Sequence, residues 1–301
     1  MSDAALSEVP LSLVHQRILD WFARESRGLP WRMHGTSPWG VLVSEVMLQQ
    51  TPVVRVEPVW RAWMSRWPSP AALAGSATGE AIHAWGRLGY PRRALRLHAA
   101  AVAIVERHHG DVPRNRDQLL ALPGVGTYTA AAVSSFAFGA RLAVVDTNVR
   151  RVLARTIGGA AQAGPSLSRA EMDLAAALLP AEADAARTWN AAVMEVGALV
   201  CSARAPRCPD CPVQDLCAWQ RAGRPAYEGP VRKGQSWLRT DRQCRGALLA
   251  VLRESSGPVT ATGVVASWPS DDTQRDRCLD SLVTDGLVES LPGNRFRLPG
   301  R

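Results

Sequence analysis

Apolar residues recur at helical spacing through most of the first 200 positions of this chain, and they divide it into short helices. Residues 9–26 place Leu13, Ile18, Leu19 and Phe22 on one side of an amphipathic helix, which Pro30 stops. The run Val41–Gln50, VLVSEVMLQQ, is apolar nearly all round, so it is expected to be buried although Glu45 sits in its middle. Pro52 fits the first turn of a helix reaching about Trp67. Helices are predicted at 70–75, 78–87 and 91–109, the last set apart by the turn Gly86–Pro91.

A tighter break follows. The run Asp117–Ala121 has helical spacing, Pro123, Gly124 and Gly126 interrupt it, and an Ala-rich helix then runs from Thr127 to about Phe138. The expected unit is helix, hairpin, helix, with Thr127 available to cap the second helix. Its glycines allow close approach of the backbone to a partner, and its unpaired first-turn N–H groups suit a phosphate. Beyond it lie the apolar run Leu142–Val145, then Asp146-Thr147-Asn148, and a helix through Arg150 and Arg151 to about Thr156. Further helices are predicted at 168–179 and 184–200, and no useful strand alternation appears before Val200.

After that point the pattern changes. Residues Arg221–Ser236 are a Pro/Gly/Arg-rich linker, too punctuated for a helix. From Asp241 the spacing predicts a helix to Arg253, a turn at Gly257-Pro258, a helix over about Thr273–Asp285, and a β-hairpin around Pro292-Gly293-Asn294. Two helices and a hairpin make a small winged-helix-like module.

With 301 residues the chain can bury a real core and form one large or two to three small domains. Its formal charge of +8 makes a polyanion a natural partner. The positive charge is almost wholly arginine; the one lysine, Lys233, confines any Schiff-base scheme to itself or the amino terminus. The N-terminus has no signal-like pattern and no apolar run reaches eighteen residues, so a soluble cytoplasmic protein without membrane contact is expected.

Four of the six cysteines, Cys201, Cys208, Cys211 and Cys217, form C-x6-C-x2-C-x5-C, a pattern for a tetrahedral zinc or an iron–sulfur cluster rather than a secreted disulfide framework. Spacing alone does not choose the metal. Cys244 and Cys278 read as small buried apolar residues.

Glu45 and Asp146 are the acids that stand out. A carboxylate in an apolar helix must be paired, neutral or used, and Asp146 can cap its helix or hold a fixed negative charge there. Releasing a base from deoxyribose needs a proton for the leaving base and negative charge beside the oxocarbenium-like sugar, which a buried Glu and an Asp at a helix N-terminus could supply. No histidine pair has metal spacing, and His108 and His109 suit a helix C-terminus.

The LPGVG hairpin with Asp146 downstream resembles the helix-hairpin-helix DNA glycosylase superfamily, and the four-cysteine spacing resembles its iron–sulfur branch. SEVMLQQT at Ser44–Thr51, LPWR at Leu29–Arg32 and Tyr128 are similar to the MutY-type adenine DNA glycosylases, the similarity spanning about residues 9–220. The resemblance implies an all-α fold of two helical subdomains with the winged-helix-like addition. Residues 1–30 would pack with the cluster subdomain 141–220, residues 31–140 would form a six-helix barrel carrying the hairpin, 221–236 would link, and 237–301 would be the last module. It implies a [4Fe-4S] cluster on the four cysteines and a monovalent ion at the hairpin carbonyls.

It implies too that double-stranded DNA with adenine opposite 8-oxoguanine or guanine is bound by a monomer and the adenosine flipped out. Glu45 would be the general acid and Asp146 would stabilise the sugar cation. Gln50 and Leu88 would wedge into the stack. Arg27, Trp31, Leu48, Tyr90 and Tyr128 would line the adenine pocket with Asn190 beside it, and Leu122, Gly124 and Gly126 would surround a phosphate. Tyr128 stands where strand-cleaving relatives carry lysine, which implies a monofunctional enzyme. Ala191 after Asn190, where Glu or Gln is common, and a tail of about 80 residues in place of a large second domain depart from the family. The alternatives are a thymine or uracil mismatch glycosylase acting opposite guanine, against which Glu45 argues, and a non-catalytic DNA-binding protein of the same fold.

Overall fold

The computed structural model describes residues 10–229 and 237–300; residues 230–236 of the expected linker, Lys233 among them, lie outside the described residues. The chain divides into two compact units, one of residues 10–34 and 127–229, the other of 35–126 and 237–300. The division falls at the hairpin, so the helix beginning at Thr127 groups with the cysteine segment and the tail groups with the segment 35–126.

In the first unit α1 (Leu11–Glu25) is the amphipathic helix expected from the sequence. The same unit holds α8 (Thr127–Phe138), and the other helices that build its core are α9 (Thr147–Thr156), α10 (Arg169–Ala177) and α11 (Ala183–Leu199). Val14 and Ile18 meet Val149, Val152, Trp189, Val193 and Val196 in one apolar cluster. Burying each aliphatic side chain there contributes about 2 kcal/mol. His15 packs edge-on against Trp189 at 4.7 Å, and its Nε2 lies 2.8 Å from the Leu178 carbonyl, to which it donates.

The second unit begins with α2 (Pro38–Leu48), α3 (Val53–Arg66), α4 (Pro70–Ala74), α5 (Thr78–Trp85), α6 (Arg92–His108) and α7 (Arg116–Leu120). Ser37 caps α2 by accepting from the Gly40 N–H at 3.1 Å, and Pro38 supplies a first helical position needing no donor. The tryptophans concentrated in this third of the chain fill the interior and hydrogen-bond its backbone. Trp39 donates to the Trp67 carbonyl at 3.0 Å, Trp60 to Gly40 at 2.9 Å and Trp85 to Gly89 at 2.9 Å.

The same unit ends with α13 (Asp241–Glu254), β1 (Val259–Thr260), α14 (Ala261–Val265), α15 (Asp272–Thr284), β2 (Glu289–Leu291) and β3 (Arg295–Arg297); α12 (Ala218–Arg221) precedes the linker in the first unit. The strands form an antiparallel sheet in the order β1-β3-β2, with Val259 opposite Phe296 and Ser290 opposite Phe296 on the other side. The predicted hairpin is there; β1 and α14 were not expected from the sequence, because two and five residues are too short to show a period.

This module shares a core with the helices before it. Ile82 of α5 is part of the cluster containing Cys244, Leu248, Leu252, Cys278, Leu282 and Leu298. The Gly79 N–H donates to the Pro299 carbonyl at 2.7 Å, and Arg92 and Arg245 both pair with Asp285. Burial raises Asp285, but the hydrogen bonds from the two guanidiniums outweigh it and hold the carboxyl below its ordinary range.

Candidate functional site

Asp146 is the N-cap of α9. Its Oδ1 accepts the backbone N–H groups of Asn148 at 2.8 Å and Val149 at 2.7 Å, and Oδ2 accepts Asn148 Nδ2 at 2.9 Å. Burial pushes this carboxyl up, while those hydrogen bonds and the charge of Arg151 pull it back without cancelling the rise. The result is a partly buried carboxylate fixed at the positive end of a helix.

The segment leading to Asp146 is held by Asn190. Its Nδ2 donates to the Leu142 carbonyl at 2.8 Å and to Ser135 Oγ at 3.1 Å, and its Oδ1 accepts the Val144 N–H at 3.2 Å. All of these are intramolecular, so Asn190 acts here as a bracket for the loop rather than as a free base-edge donor. On the far side of Asp146, Arg151 donates to Asn148 Oδ1 at 2.8 Å, to the Gly197 carbonyl at 2.6 Å and to the Cys201 carbonyl at 2.6 Å. Gly197 lets the helices close to this distance: a Cβ there would lie 2.6 Å from Asn148 Cβ.

Arg27 is engaged in the same unit. Its Nε and Nη2 donate to Glu195 at 2.6 and 2.8 Å, its backbone N–H donates to Glu195 Oε1 at 3.1 Å, and Arg32 Nη1 adds a bond to Oε2 at 2.9 Å. Glu195 has a fully buried side chain. Burial alone would raise it, but the Arg27 hydrogen bonds and the Arg32 charge prevail and bring its pKa down to about 2. The Arg27 guanidinium is therefore committed to a carboxylate, whereas the sequence reading places it against a base. Trp31 beside it is buried, and Tyr128 is partly buried on α8.

In the other unit Glu45 lies midway along α2, 6% exposed among Leu42, Val46 and Met47, with Leu48 partly exposed at the helix end. Arg93 closes that end by donating to the carbonyls of Val46 at 3.3 Å, Met47 at 3.4 Å and Gln49. Gln50 follows in a left-handed turn with φ 56° and is exposed. Thr51 Oγ1 donates to the Leu88 carbonyl at 3.3 Å, bringing the Gln50 turn beside the loop Gly86–Pro91. Leu88 itself is 4% exposed, packed into the unit rather than projecting as a wedge would; the neighbouring Tyr90 is the exposed apolar group of that loop.

The hairpin has one true requirement for glycine. Gly124 has φ 78°, and a Cβ on it would come within 2.7 Å of Arg96 Cβ. Leu122 anchors the turn, buried, with its carbonyl accepting the Val125 N–H at 3.1 Å, and Gly126 is exposed. Thr127 is the first residue of α8 rather than its cap.

Cys201, Cys208, Cys211 and Cys217 line one cavity with Val152, Arg155 and Trp219. Burial, reinforced by the other cysteines, pushes the Cys211 thiol up to about 12. Arg155 Nη1 lies 3.4 Å from Cys201 Sγ. Among the described residues no group of three or more His, Cys, Asp or Glu side chains is placed to hold a metal ion. Thiolates are ligands that both zinc and iron–sulfur clusters take, so this donor set fits either group.

The HhH-GPD family of base excision DNA repair proteins matches residues 43–176, which take in Glu45, the hairpin and Asp146. Over 96% of this chain and 97% of its own length, the adenine DNA glycosylase of Mycolicibacterium smegmatis is 53% identical. The chain belongs to the HhH-GPD superfamily of base excision DNA repair proteins. The adenine DNA glycosylase of Mycobacterium tuberculosis is 50% identical over 97% of this chain and 95% of that protein. Among solved structures, a thermostable thymine-DNA glycosylase superposes with a TM-score of 0.63 and 30% identity, covering 70% of this chain and 97% of that one.

For an HhH-GPD protein the residue most conspicuously missed from sequence is Glu195. The signal was available: it is the one acid in the apolar stretch Trp189–Leu199, as Glu45 is in α2. Arg93 was missed too, because an arginine on a helix surface pattern gives no hint that it will fold inward and cap a neighbouring helix.

Proposed function

We propose that this protein is a monofunctional adenine DNA glycosylase of base excision repair, hydrolysing the N-glycosidic bond of adenine opposite guanine or 8-oxoguanine in duplex DNA. The observation that carries the reading is Glu45, a carboxyl buried mid-helix in an apolar setting where a charge is costly to stability and valuable to proton transfer. Glu45 delivers a proton to a ring nitrogen of the flipped adenine, N7. The C1′–N9 bond breaks with its electron pair leaving on the base. The Asp146 carboxylate faces the developing oxocarbenium ion, water adds at C1′, and the proton released returns to Glu45. The near-complete alignment with adenine DNA glycosylases supports adenine as the base.

Tyr128 at the position of a nucleophilic lysine, and the lack of any lysine among the described residues, support release of the base without strand cleavage. Trp31, Leu48, Tyr90 and Tyr128 serve as pocket candidates, Gln50 as the wedge, and Leu122, Gly124 and Gly126 as the phosphate hairpin, its carbonyls the place for a monovalent ion. Cys201, Cys208, Cys211 and Cys217 hold a [4Fe-4S] cluster, which when bound ties their loop into a rigid knob. An absorption band near about 400 nm with matching iron content supports this, and a colourless zinc protein refutes it.

The test of function is a panel of duplexes carrying A:8-oxoG, A:G, A:C, T:G and U:G, with the wild type and Glu45→Gln. Adenine release that the substitution abolishes is expected. Activity confined to T:G or U:G would instead favour a thymine or uracil glycosylase, the reading to which the 30% identical thymine-DNA glycosylase structure lends weight.

A further inference from the structure

The loop Gly86–Pro91 is held in an unusual way. Gly86, Gly89 and Tyr90 all have positive φ, at 56°, 86° and 48°, and for a tyrosine this left-handed conformation is strained. Two guanidiniums lie over the Tyr90 ring, that of Arg93 at 4.6 Å from its centroid and that of Arg242, from α13, at 4.7 Å. Arg242 also lies 5.4 Å from the ring centroid of Trp237. Neither Arg93 nor Arg242 forms a salt bridge among the described residues. Two like charges on one ring repel; Arg93 is buried and held by the Val46, Met47 and Gln49 carbonyls, whereas exposed Arg242 is held over the rings of Tyr90 and Trp237.

The surroundings are open. Tyr90 is 39% exposed, Trp237 51% and Leu238 75%, and Arg239 and Arg242 are exposed beside them. Exposed aromatic rings beside the exposed arginines Arg239 and Arg242 are the chemistry that binds a nucleic-acid strand, phosphates pairing with the guanidiniums and bases or sugars resting on the rings. The Gln50 turn adjoins this loop through the Thr51–Leu88 hydrogen bond, so the patch is continuous with the turn assigned to the wedge.

We propose that the C-terminal module extends the DNA-binding face of its unit through Arg242 and Trp237, Arg242 neutralising a backbone phosphate while its stack on Tyr90 fixes the loop Gly86–Pro91. This rests on the reading of the protein as a DNA glycosylase, but its test is binding rather than catalysis. The experiment measures affinity of the full chain for an undamaged duplex by fluorescence anisotropy across a salt series, with Arg242→Ala, Arg242→Lys, Trp237→Ala and, as an exposed control in the other unit, Arg169→Ala.

Arg242→Ala is expected to weaken binding and to flatten the plot of log affinity against log salt by about one unit of slope. Arg242→Lys should restore the slope. Trp237→Ala should weaken binding roughly tenfold, as loss of one stacked group does, and leave the slope alone. An Arg242→Ala protein with wild-type affinity and slope overturns the proposal. So does one that binds more weakly at unchanged slope, since that would mark a structural effect only, or an Arg169→Ala protein showing the same flattening. If the wild type released no adenine from any duplex, the proposed function would fall, while the salt series would still decide whether Arg242 meets phosphate.

Discussion

Replacing Glu195 by glutamine isolates one charge without opening a cavity, because the two side chains are nearly isosteric. In the wild type both carboxylate oxygens are saturated by Arg27 and Arg32, and the pKa is held at about 2 against a reference of 4.5. A depressed acid stabilises the fold when ionised, so the contribution is complete above the unfolded value and is lost as pH falls toward the folded one. The two values correspond to about 3 kcal/mol at pH 7, with about half of that left at pH 3 and little at pH 2. The substituted amide would in addition turn an N–H toward two guanidiniums, so about 3 kcal/mol is a lower expectation at neutral pH. Urea unfolding followed by hydrogen exchange in α11, the helix that carries Glu195, reads this in the right unit. The stability gap between wild type and Glu195→Gln should close as the pH is lowered from about 4.5 to 2. A gap that stays constant over that range, or grows, refutes the assignment of the Arg27–Glu195–Arg32 cluster as a charge-stabilised anchor.

Asp146→Asn should separate stability from function. The folded pKa of Asp146 is raised, so stability falls as the pH rises from the unfolded value to the folded one and the cost is complete above it; Asn keeps the cap without that cost, and thermal unfolding at pH 7 should occur at a higher temperature while adenine release is lost. Below about pH 3.8 the gain should disappear. Gly124→Ala, which forces a side chain at φ 78° against Arg96, should lower stability by about 2 kcal/mol in urea titrations and weaken duplex binding. Asp285→Asn leaves Arg92 and Arg245 without their shared anion and should loosen the C-terminal module; hydrogen exchange in α15 should accelerate by about tenfold or more while exchange in α11 is unaffected.

The helices were legible from sequence because their apolar periods are long and their ends carry punctuation: Thr127–Phe138 falls where Gly126 and Gly139 bound an Ala-rich run, and α13 and α15 start one residue or less from their expected positions. Asp146 was legible as a cap, since an Asp before a helical stretch has few other uses. What the sequence hid were partnerships across long separations. Arg27 and Glu195 are 168 positions apart, and nothing local in either segment reveals that one neutralises the other. Asn190 carries the donor and acceptor pattern of a base-reading side chain, yet three groups of the Ser135–Val144 region use it first. Leu88 was expected to wedge only because the family resemblance implies it, but the turn folds its side chain inward and leaves Tyr90 outside.

Three buried or partly buried acids thus occupy three different environments, and the roles proposed for them follow those environments rather than residue type. Glu195 is paired with two guanidiniums and cannot be a proton donor near neutral pH, since it is half ionised already at about pH 2. Asp146 receives neutral N–H donors and a helix N-terminus, which stabilise an anion without ion-pairing it and so leave its field available to a cation formed beside it. Glu45 is buried midway along α2. The acid limb of the single-turnover pH profile should therefore follow Asp146. Glu195→Gln should lower stability without moving that limb, and adenine release at the wild-type rate in Glu45→Gln would remove Glu45 from the reaction.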